Sequence, residues 1–498
     1  MSHTIYQSFG YLLPEATLVV FFVLTLLTAI VGKRRGKYLP AYMALLGFAI
    51  AGIYVSKQFD VSVLVFSGMY AVDPFSVFFK VIFLITGILI VLFSLQSHEL
   101  DAVSTKYSEY FSLIISLTIG AFFMAGSTNL LMMYLSLELV SISSYILSGF
   151  TKENTRADEA SLKYVIYGAF SSGLMLYGIS LLYGLTGETN IYSFNQALAV
   201  AGAPRITILI AIVLMLVGLG YKISAVPFHF WTPDVYEGAP ITITAFLSVS
   251  SKAAGFAMLI RFFKIAFIDV TAQPIAAGMW EIFRGFNWTD IIAVLSVLTM
   301  TVGNLVAIWQ SNIKRMLAYS SIAHAGYILM GFVTLTNQGI SAMLVYFVAY
   351  LLMNLGAFYV VILVANKFHT ENIDGYNGLG YRSPYAAFAM TVFLFSLTGI
   401  PPTFGFIGKF YLFSSLINAH YIWLAIVGVI NSVISLYYYA RVVRNMYLIQ
   451  PEDTSPIGFD FGTNFLMTLL VVPNIGLMLY FSPVLSWAQY SVSMFGLR

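Results

Sequence analysis

Five ionisable side chains lie within long apolar stretches of this sequence, where a charge is costly. They are Glu138, Lys222, Lys252, His324 and Lys409. An ionisable group at the centre of a bilayer costs roughly 2.5–3.5 kcal/mol on insertion scales, so we expect these groups to face the interior of a helix bundle. They match no phosphate-binding loop, nucleophile–base pair or metal-ligand spacing. They fit a proton relay instead, because burial allows a lysine to exchange its proton near neutral pH.

Glu138 and Lys222 suggest a switch within that relay. A nearby carboxylate would hold a proton on Lys222, and displacing the carboxylate would release the proton. Structural roles stay open for the same residues. Glu138 could belong to a buried salt bridge, the lysines beside helix breaks could bond freed carbonyl groups, and His324 could be a hydrogen-bonded core residue.

A further candidate region covers residues 227–234. His229 and Asp234 could line a surface at which protons are taken up. Three large aromatic side chains share the segment: Phe228, Phe230 and Trp231. Because such side chains favour the membrane–water boundary, an interfacial loop is an equally good interpretation.

Two of the apolar stretches that carry a lysine also contain helix breakers. Gly218, Gly220 and Pro227 interrupt the stretch around Lys222, and prolines and glycines at 399–408 interrupt the stretch that ends near Lys409. Proline removes a helix donor, and glycine weakens a helix. Non-helical backbone survives at membrane depth only where protein or a water-filled cavity satisfies its polar groups, so the two breaks indicate an ion path.

Other charged residues sit nearer the ends of the apolar stretches. We expect the basic ones to extend their charged ends to the membrane surface and the acidic ones to be structural. They are the basic residues Lys80, Lys163, Arg261 and Lys264 and the acidic residues Glu15 and Asp73.

The composition identifies the class of protein. The 498 residues are 59% apolar and only 9% charged, whereas soluble domains carry about 25% charged residues. This excludes an ordinary soluble enzyme and a disordered chain. The net charge of +3, from 24 basic and 21 acidic residues, is too balanced for a nucleic-acid partner. The absence of cysteine excludes disulfides, iron–sulfur clusters, thiolate zinc sites and a cysteine nucleophile.

A membrane helix needs about 20 mostly apolar residues, and on that basis the chain has about fourteen spans. They are 12–32, 38–56, 73–96, 107–126, 128–149, 161–186, 205–231, 240–264, 289–310, 313–334, 338–366, 385–416, 421–447 and 462–489. The stretches lack the alternation of a membrane β-barrel. The sequence therefore predicts an all-α polytopic membrane protein in which spans seven and twelve are broken.

The orientation follows from the distribution of basic residues between the spans. The odd-numbered connections carry Lys33, Arg34, Arg35, Lys37, Lys152, Arg156, Lys314, Arg315, Lys367, Arg382, Arg441 and Arg444, and the even-numbered ones carry chiefly Lys57, Arg205 and Arg284. The odd-numbered side is therefore predicted to be cytoplasmic, with both termini outside. Tyr145–Leu147 in span five recurs as Tyr327–Leu329 in span ten, a hint of the internal repeats found in transporters.

Four motifs give the chain a resemblance to a known family. They cover residues 227–240, 251–252, 317–326 and 396–411, and they resemble the antiporter-like subunits of respiratory complex I along almost the whole chain. Lys409 within Gly408–Phe410 favours one member of that family over another that has glutamate there.

The resemblance implies a specific architecture and set of roles. It implies two inverted five-helix repeats, with an N-terminal three-helix segment at 1–106, repeats at 107–264 and 265–447, and a C-terminal helix at 448–498. Glu138 and Lys222 match the family's glutamate–lysine pair, Lys252 the lysine at which two half-channels meet, His324 the intervening histidine and Lys409 the exit-side lysine. The chain is then a non-redox, proton-translocating subunit of a bacterial inner-membrane NADH:quinone oxidoreductase.

The same resemblance concerns cofactors and partners. It implies no cofactor and no metal in this chain, whereas NADH, FMN, iron–sulfur clusters and quinone belong to partner subunits of the membrane and peripheral arms. A subunit of a multisubunit cation/proton antiporter remains the main alternative, since it shares the fold and charge pattern. An assembly protein with purely structural charges is a second alternative, and a stand-alone solute carrier fits less well.

Overall fold

The computed structural model describes residues 5–31, 36–151, 154–201, 204–268, 287–450 and 455–495. Five of the basic residues used above for orientation lie outside these ranges: Lys33, Arg34, Arg35, Lys152 and Arg284. Within the described residues the chain is almost entirely α-helical, which confirms the predicted fold class.

The helices follow one another with short connections. They are α1 Ile5–Tyr11, α2 Leu13–Val31, α3 Tyr38–Ser56, α4 Pro74–Gln96, α5 Tyr107–Gly126, α6 Leu130–Ser148, α7 Thr155–Thr186, α8 Phe194–Ala201, α9 Arg205–Ile223, α10 Trp231–Gly238, α11 Ile241–Phe246, α12 Lys252–Ala266, α13 Trp288–Ala307, α14 Ile313–Val333, α15 Asn337–Phe368, α16 Leu379–Arg382, α17 Pro384–Thr398, α18 Phe404–Asn418, α19 Ile422–Leu448, α20 Phe461–Leu479 and α21 Ser482–Ser491. Short 3₁₀ turns cover Glu99–Lys106, Ile191–Ser193 and Ile373–Tyr376.

Among the described residues, 13 helical stretches are long and apolar enough to cross a membrane. Predicted spans one to six correspond to α2–α7, span seven to α9 and α10, span eight to α11 and α12, and spans nine to eleven to α13–α15. Span twelve is divided into α17 and α18, which are each too short to be counted, and spans thirteen and fourteen are α19 and α20 with α21. The two breaks predicted from proline and glycine are therefore confirmed.

A short hairpin was not predicted. Strands β1 (Val63–Val65) and β2 (Tyr70–Val72) pair antiparallel between α3 and α4, with Val63 opposite Val72. Three residues per strand are too few for the alternation by which a strand is recognised in a sequence.

The break in span seven lies later than the glycines suggested. Helix α9 continues through Gly218 and Gly220 and ends at Ile223, where Ser224 adopts a left-handed conformation with φ of 62°. The expectation that these glycines interrupt the helix was wrong, because they serve close packing. A Cβ on Gly218 would lie 2.6 Å from the Met175 side chain, and one on Gly220 would lie 2.7 Å from that of Phe228.

The polar backbone groups at this break are satisfied by the protein. The Ala225 amide donates to the Gly220 carbonyl (2.8 Å), and the indole of Trp231 donates to the Tyr221 carbonyl (3.1 Å). The hydroxyl of Thr232 donates to Ser224 Oγ (2.8 Å) and so joins the two half-helices. Protein groups replace the missing helix bonds, as membrane depth requires.

The break in span twelve has the same form. Gly399 ends α17 in the left-handed region with φ of 87°, and the Ile400 amide donates to the Phe395 carbonyl (3.0 Å). The freed carbonyl of Thr398 accepts from Lys409 Nζ (2.8 Å) and from Ser432 Oγ (2.9 Å).

Span eight contains a third irregularity that sequence reasoning missed. A wider π-helical turn at Leu247–Ser251 separates α11 from α12 and ends immediately before Lys252. Such turns insert one extra residue into a helix and are frequent at functional sites.

The structure contains paired features that support an internal repeat. Asn129 caps α6 and Asn312 caps α14, and each forms an isolated bridge with an asparagine that follows a 32-residue helix, Asn190 after α7 and Asn372 after α15. Together with the two left-handed breaks, this pairing relates α6, α7 and α9 to α14, α15 and α17.

Candidate functional site

Glu138 and Lys222 lie near each other but are not in direct contact. Glu138 is half-buried on α6, and Lys222, near the end of α9, is 1% exposed. No ion pair joins them within 4 Å in the described part of the chain, and one carboxylate oxygen of Glu138 has no hydrogen-bond partner there. Lys222 Nζ instead donates to Ser141 Oγ (3.1 Å), one helical turn beyond Glu138. The serine thus stands where a direct salt bridge was considered.

Lys252 begins α12 directly after the π-helical turn and is buried. Its Nζ donates to Ser321 Oγ on α14 (2.8 Å) and lies 5.8 Å from the centre of the Tyr236 ring. No carboxylate pairs with it among the described residues. Ser321 lies 183 positions after Glu138, the same interval that separates the caps Asn129 and Asn312. The second repeat thus places a serine where the first has its glutamate.

His324 is buried among tyrosines one turn beyond Ser321. Its Nδ1 lies 2.6 Å from Tyr346 Oη, and its Nε2 lies 3.3 Å from Tyr439 Oη. Its ring is 5.2 Å from that of Tyr350. A neutral imidazole donates from one nitrogen and accepts at the other, so a proton received at one can leave from the other.

Lys409 lies on α18 beside the break in span twelve. Its Nζ donates to the Thr398 carbonyl (2.8 Å) and to Ser432 Oγ (2.6 Å), and lies 4.4 Å from the centre of the Tyr327 ring. The side chain lines an open groove of about 290 Å³ together with Gly399 and Ser432. Lys409 therefore does bond a freed carbonyl, and it also faces an open space.

Hydroxyl and amide side chains fill the region between His324 and Lys409. Tyr438 Oη donates to Asn304 Oδ1 (2.9 Å), and Asn304 Nδ2 donates to Tyr327 Oη (3.0 Å) beside Lys409. Tyr439 stacks closely beside Tyr438, with 4.3 Å between ring centres. Hydroxyl groups donate and accept, so such a cluster can conduct protons. Sequence analysis missed it because tyrosines on apolar helices look like core residues.

His229 and Asp234 have different surroundings. His229 lies in the break of span seven and is 7% exposed, with its Nδ1 unpartnered among the described residues. Asp234 on α10 pairs with Lys163 Nζ (2.7 Å) and Arg315 Nη1 (2.7 Å) and lines an open cavity of about 230 Å³. The aromatic residues of the segment do not act together as an interfacial anchor, because Trp231 is 1% exposed.

The charges expected to reach the membrane surface are mostly buried. Arg261 is 0% exposed and binds Asp73 with two nitrogens (2.8 and 2.7 Å), and Lys80, also 0% exposed, pairs with Glu15 at 2.6 Å. Lys264 is 3% exposed. These expectations were wrong because each cation has acceptors on other helices, which sequence distance conceals.

Lys163 behaves differently from the other three. Its side chain is 38% exposed and pairs with Glu159 as well as Asp234, each at 2.7 Å. It therefore belongs to a surface ion-pair network, and the acids Glu15 and Asp73 have the structural role predicted for them.

Comparison with known proteins follows from this geometry. Residues 127–435 match the family described as NADH:quinone oxidoreductase/Mrp antiporter, TM. The chain belongs to this family. It is 48% identical to NADH-quinone oxidoreductase subunit N 2 of Chloroherpeton thalassium, with 97% of this chain and 94% of that protein covered. It is 44% identical to NADH-quinone oxidoreductase subunit N of Chlorobium chlorochromatii, over 99% and 97% of the two chains.

Solved structures agree with the membership of the NADH:quinone oxidoreductase/Mrp antiporter family. A chain of respiratory complex I from Thermus thermophilus has a TM-score of 0.77 and 30% identity, with 95% of this chain and 99% of that chain covered. A chain of the Mrp complex from Dietzia sp. also has a TM-score of 0.77, at 21% identity over 96% and 97% of the chains, which indicates a shared fold. The resemblance drawn from the four motifs is thus confirmed.

Proposed function

We propose that the chain is the proton-translocating, non-redox membrane-arm subunit of a bacterial NADH:quinone oxidoreductase, corresponding to subunit N of its relatives. The observation that carries the proposal is the set of buried cations held by neutral groups: Lys222 by Ser141, Lys252 by Ser321, and Lys409 by Thr398 and Ser432. A cation kept only for stability would be expected to have a carboxylate partner, as Arg261 has in Asp73.

The proposed route follows the residues in order. A proton enters from the cytoplasmic side near His229 and Asp234, reaches Lys222 and then Lys252, and continues through His324 to Lys409 and out. Displacement of Glu138 relative to Lys222 gates the first step. A charge that crosses 100 mV needs about 2.3 kcal/mol, a free energy comparable with rearranging one poorly solvated ion pair.

Partners and cofactors follow from the same proposal. The chain works with the other membrane-arm and peripheral-arm subunits, which hold NADH, FMN, iron–sulfur clusters and quinone. The described residues contain no group of three or more ligands that could hold a metal ion. We place the chain in the bacterial inner membrane with both termini on the outer side, and its 107–264 and 265–447 segments form the two repeats.

The test uses the assembled complex reconstituted in vesicles. Glu138→Gln and Lys222→Ala should each lower the number of protons pumped per electron strongly, because the gate and its proton carrier are removed while redox centres in other subunits stay intact. Assembly is followed on a native gel. Unchanged proton-to-electron ratios in both assembled variants would disprove the relay, and would favour a purely structural role for the buried charges.

A cation/proton antiporter subunit is the second candidate function. The observation that favours it is the structural match to the Mrp complex chain, over 96% of this chain. Affinity purification from the native membrane distinguishes the two: co-purified iron–sulfur and quinone-site subunits support the first function, and their replacement by antiporter subunits supports the second.

A further inference from the structure

A large polar cavity lies at the end of the bundle where α11 begins, on the side predicted to be cytoplasmic. Its volume is about 690 Å³, and it is lined by polar and charged side chains from five connections. Glu99, in the 3₁₀ turn between α4 and α5, lies at its wall, and Glu99 Oε2 accepts from the Ile241 amide (3.0 Å), the first residue of α11. This carboxylate therefore touches both the cavity and the helix that leads to Lys252.

A polar stripe runs along that helix from Glu99 toward Lys252. Thr244, Ser248 and Lys252 follow at intervals of four residues, so they share one helix face. The interval from Ile241 to Lys252 is about 16 Å at 1.5 Å per residue. Thr244 Oγ1 donates to the Tyr236 carbonyl (3.1 Å), and Ser248 Oγ accepts from Asn354 Nδ2 (2.6 Å).

Buried hydroxyl groups on both sides of the stripe have unused hydrogen-bonding capacity. The hydroxyls of Ser250, Ser251, Tyr236 and Tyr350 are buried and have no hydrogen-bond partner in the described part of the chain. Buried polar groups are normally satisfied by protein or water, so these four call for water beside Lys252. Nearer the cavity, Tyr110 links Ser94 (3.0 Å) to Thr242 (2.7 Å) in a continuous hydroxyl chain.

The charges facing Glu99 leave it able to take up a proton. They are His98, Arg156, Glu237, Lys314, His369 and Glu371. Lys314 is directed to Glu371 Oε1 (2.8 Å) and the Ala239 carbonyl (2.9 Å) rather than to Glu99. Burial raises the pKa of the Glu99 carboxyl above its usual value, against the opposing effect of Lys314.

We propose that Glu99 is a proton-loading residue for Lys252, separate from the route through Asp234 and Lys222. A hydronium ion in the cavity gives its proton to Glu99 Oε1 or Oε2, and the proton then passes along the hydroxyls and water of the Thr244–Ser248 stripe to the neutral amine of Lys252. Glu99 returns to the carboxylate, and no bond other than O–H and N–H forms or breaks. This inference deepens the proposed function and rests on it.

Glutamine separates proton loading from helix capping at this position. In Glu99→Gln the amide oxygen still accepts from the Ile241 amide, but the side chain no longer binds a proton. We expect the assembled complex in vesicles to reduce quinone at the wild-type rate and to lose part of its protons pumped per electron. Glu99→Asp should restore part of that loss. Glu371→Gln, a neutralised carboxylate in the same cavity, is the matched control and should pump as wild type.

The pH profile gives a second reading. In the wild type, pumping should fall as the pH on the uptake side rises and Glu99 stays unprotonated, and Glu99→Gln should lack this component. Thr244→Val, which exchanges a hydroxyl for a methyl, should show the same loss by interrupting the stripe. A Glu99→Gln complex that pumps normally across the pH series overturns the inference. If Glu138→Gln and Lys222→Ala also pump normally, the proposed function itself fails.

Discussion

Individual charged residues in this protein are buried in two chemically different ways. Arg261 and Asp73 form a bidentate ion pair, which requires both groups to stay ionised. Lys222 and Lys252 instead bond serine hydroxyls. A hydroxyl accepts from an ammonium group and donates to a neutral amine, so its bond with lysine survives either protonation state. The first arrangement fixes a charge, and the second tolerates its loss.

The fixed pair should dominate local stability. Asp73→Asn leaves Arg261 buried without its counter-charge, and breaking a buried pair from one side costs about 3–5 kcal/mol. We expect a lower thermal unfolding temperature of the detergent-solubilised complex, measured by the loss of the assembled band on a native gel.

The paired replacement is the control. Asp73→Leu combined with Arg261→Met removes both charges and should be markedly more stable than Asp73→Asn, since neither charge is left alone. Equal losses of stability in the two proteins would contradict the ion-pair account.

At this scale the sequence predicts the charged groups but not their partners. A charge inside an apolar stretch is visible from composition, which is why Glu138 and His324 were found. The hydroxyl of Ser321 was not found, because a serine on a helix is common and only the fold brings it to Lys252.

Three helical elements are interrupted close to a buried lysine. Lys222 precedes the break after α9, Lys409 follows the break after α17, and Lys252 follows the π-helical turn. In each case the irregular backbone brings a carbonyl, a hydroxyl or an aromatic ring to the lysine. The interruptions therefore create polar surroundings that a regular apolar helix lacks.

Gly399 provides a test of this coupling. Its φ of 87° suits glycine, and an added Cβ would lie 2.7 Å from Lys409 Cδ. Gly399→Ala should cost about 1–2 kcal/mol from its left-handed backbone and should push the lysine away from Thr398 and Ser432. We expect pumping to fall while quinone reduction continues, as measured in reconstituted vesicles.

A neighbouring glycine serves as the comparison. Gly173 has no atom within 4 Å of an added Cβ and lies in regular helix α7, so Gly173→Ala should leave pumping unchanged. Loss of pumping in both variants would mean that the effect of Gly399→Ala is not specific to the lysine.

The sequence predicted that spans seven and twelve are broken but not where the first break lies. Proline forces a local interruption, so both breaks could be inferred. Gly218 and Gly220 have regular helical backbone and serve helix packing, a use that cannot be distinguished from a break without the neighbouring helices. The π-helical turn has no comparable sequence signal.

The molecule as a whole leaves several apolar helix faces exposed. On α6 this face carries Leu131, Leu135, Ile142 and Ile146, which are 50–63% exposed. Glu138 lies on the same side at intermediate exposure. A half-buried carboxylate is expensive against lipid, so we expect another subunit to cover this face.

A bulky apolar substitution distinguishes a protein neighbour from lipid. Leu135→Trp is tolerated by lipid but would clash in a packed subunit interface. We expect a reduced yield of assembled complex on a native gel, with the subunit still inserted in the membrane. Leu135→Met conserves volume and should assemble normally. Normal assembly of the tryptophan variant would show that lipid covers this face.

The contacts of Asp73 have a consequence for biosynthesis. Its carboxylate binds Arg261, 188 residues further along the chain, and also accepts from the Phe495 amide (3.1 Å), 422 residues further along. A ribosome therefore delivers Asp73 to the membrane long before either donor has been translated. The N-terminal helices must wait with this acid incompletely coordinated, and the site closes only when almost the entire polypeptide has been made.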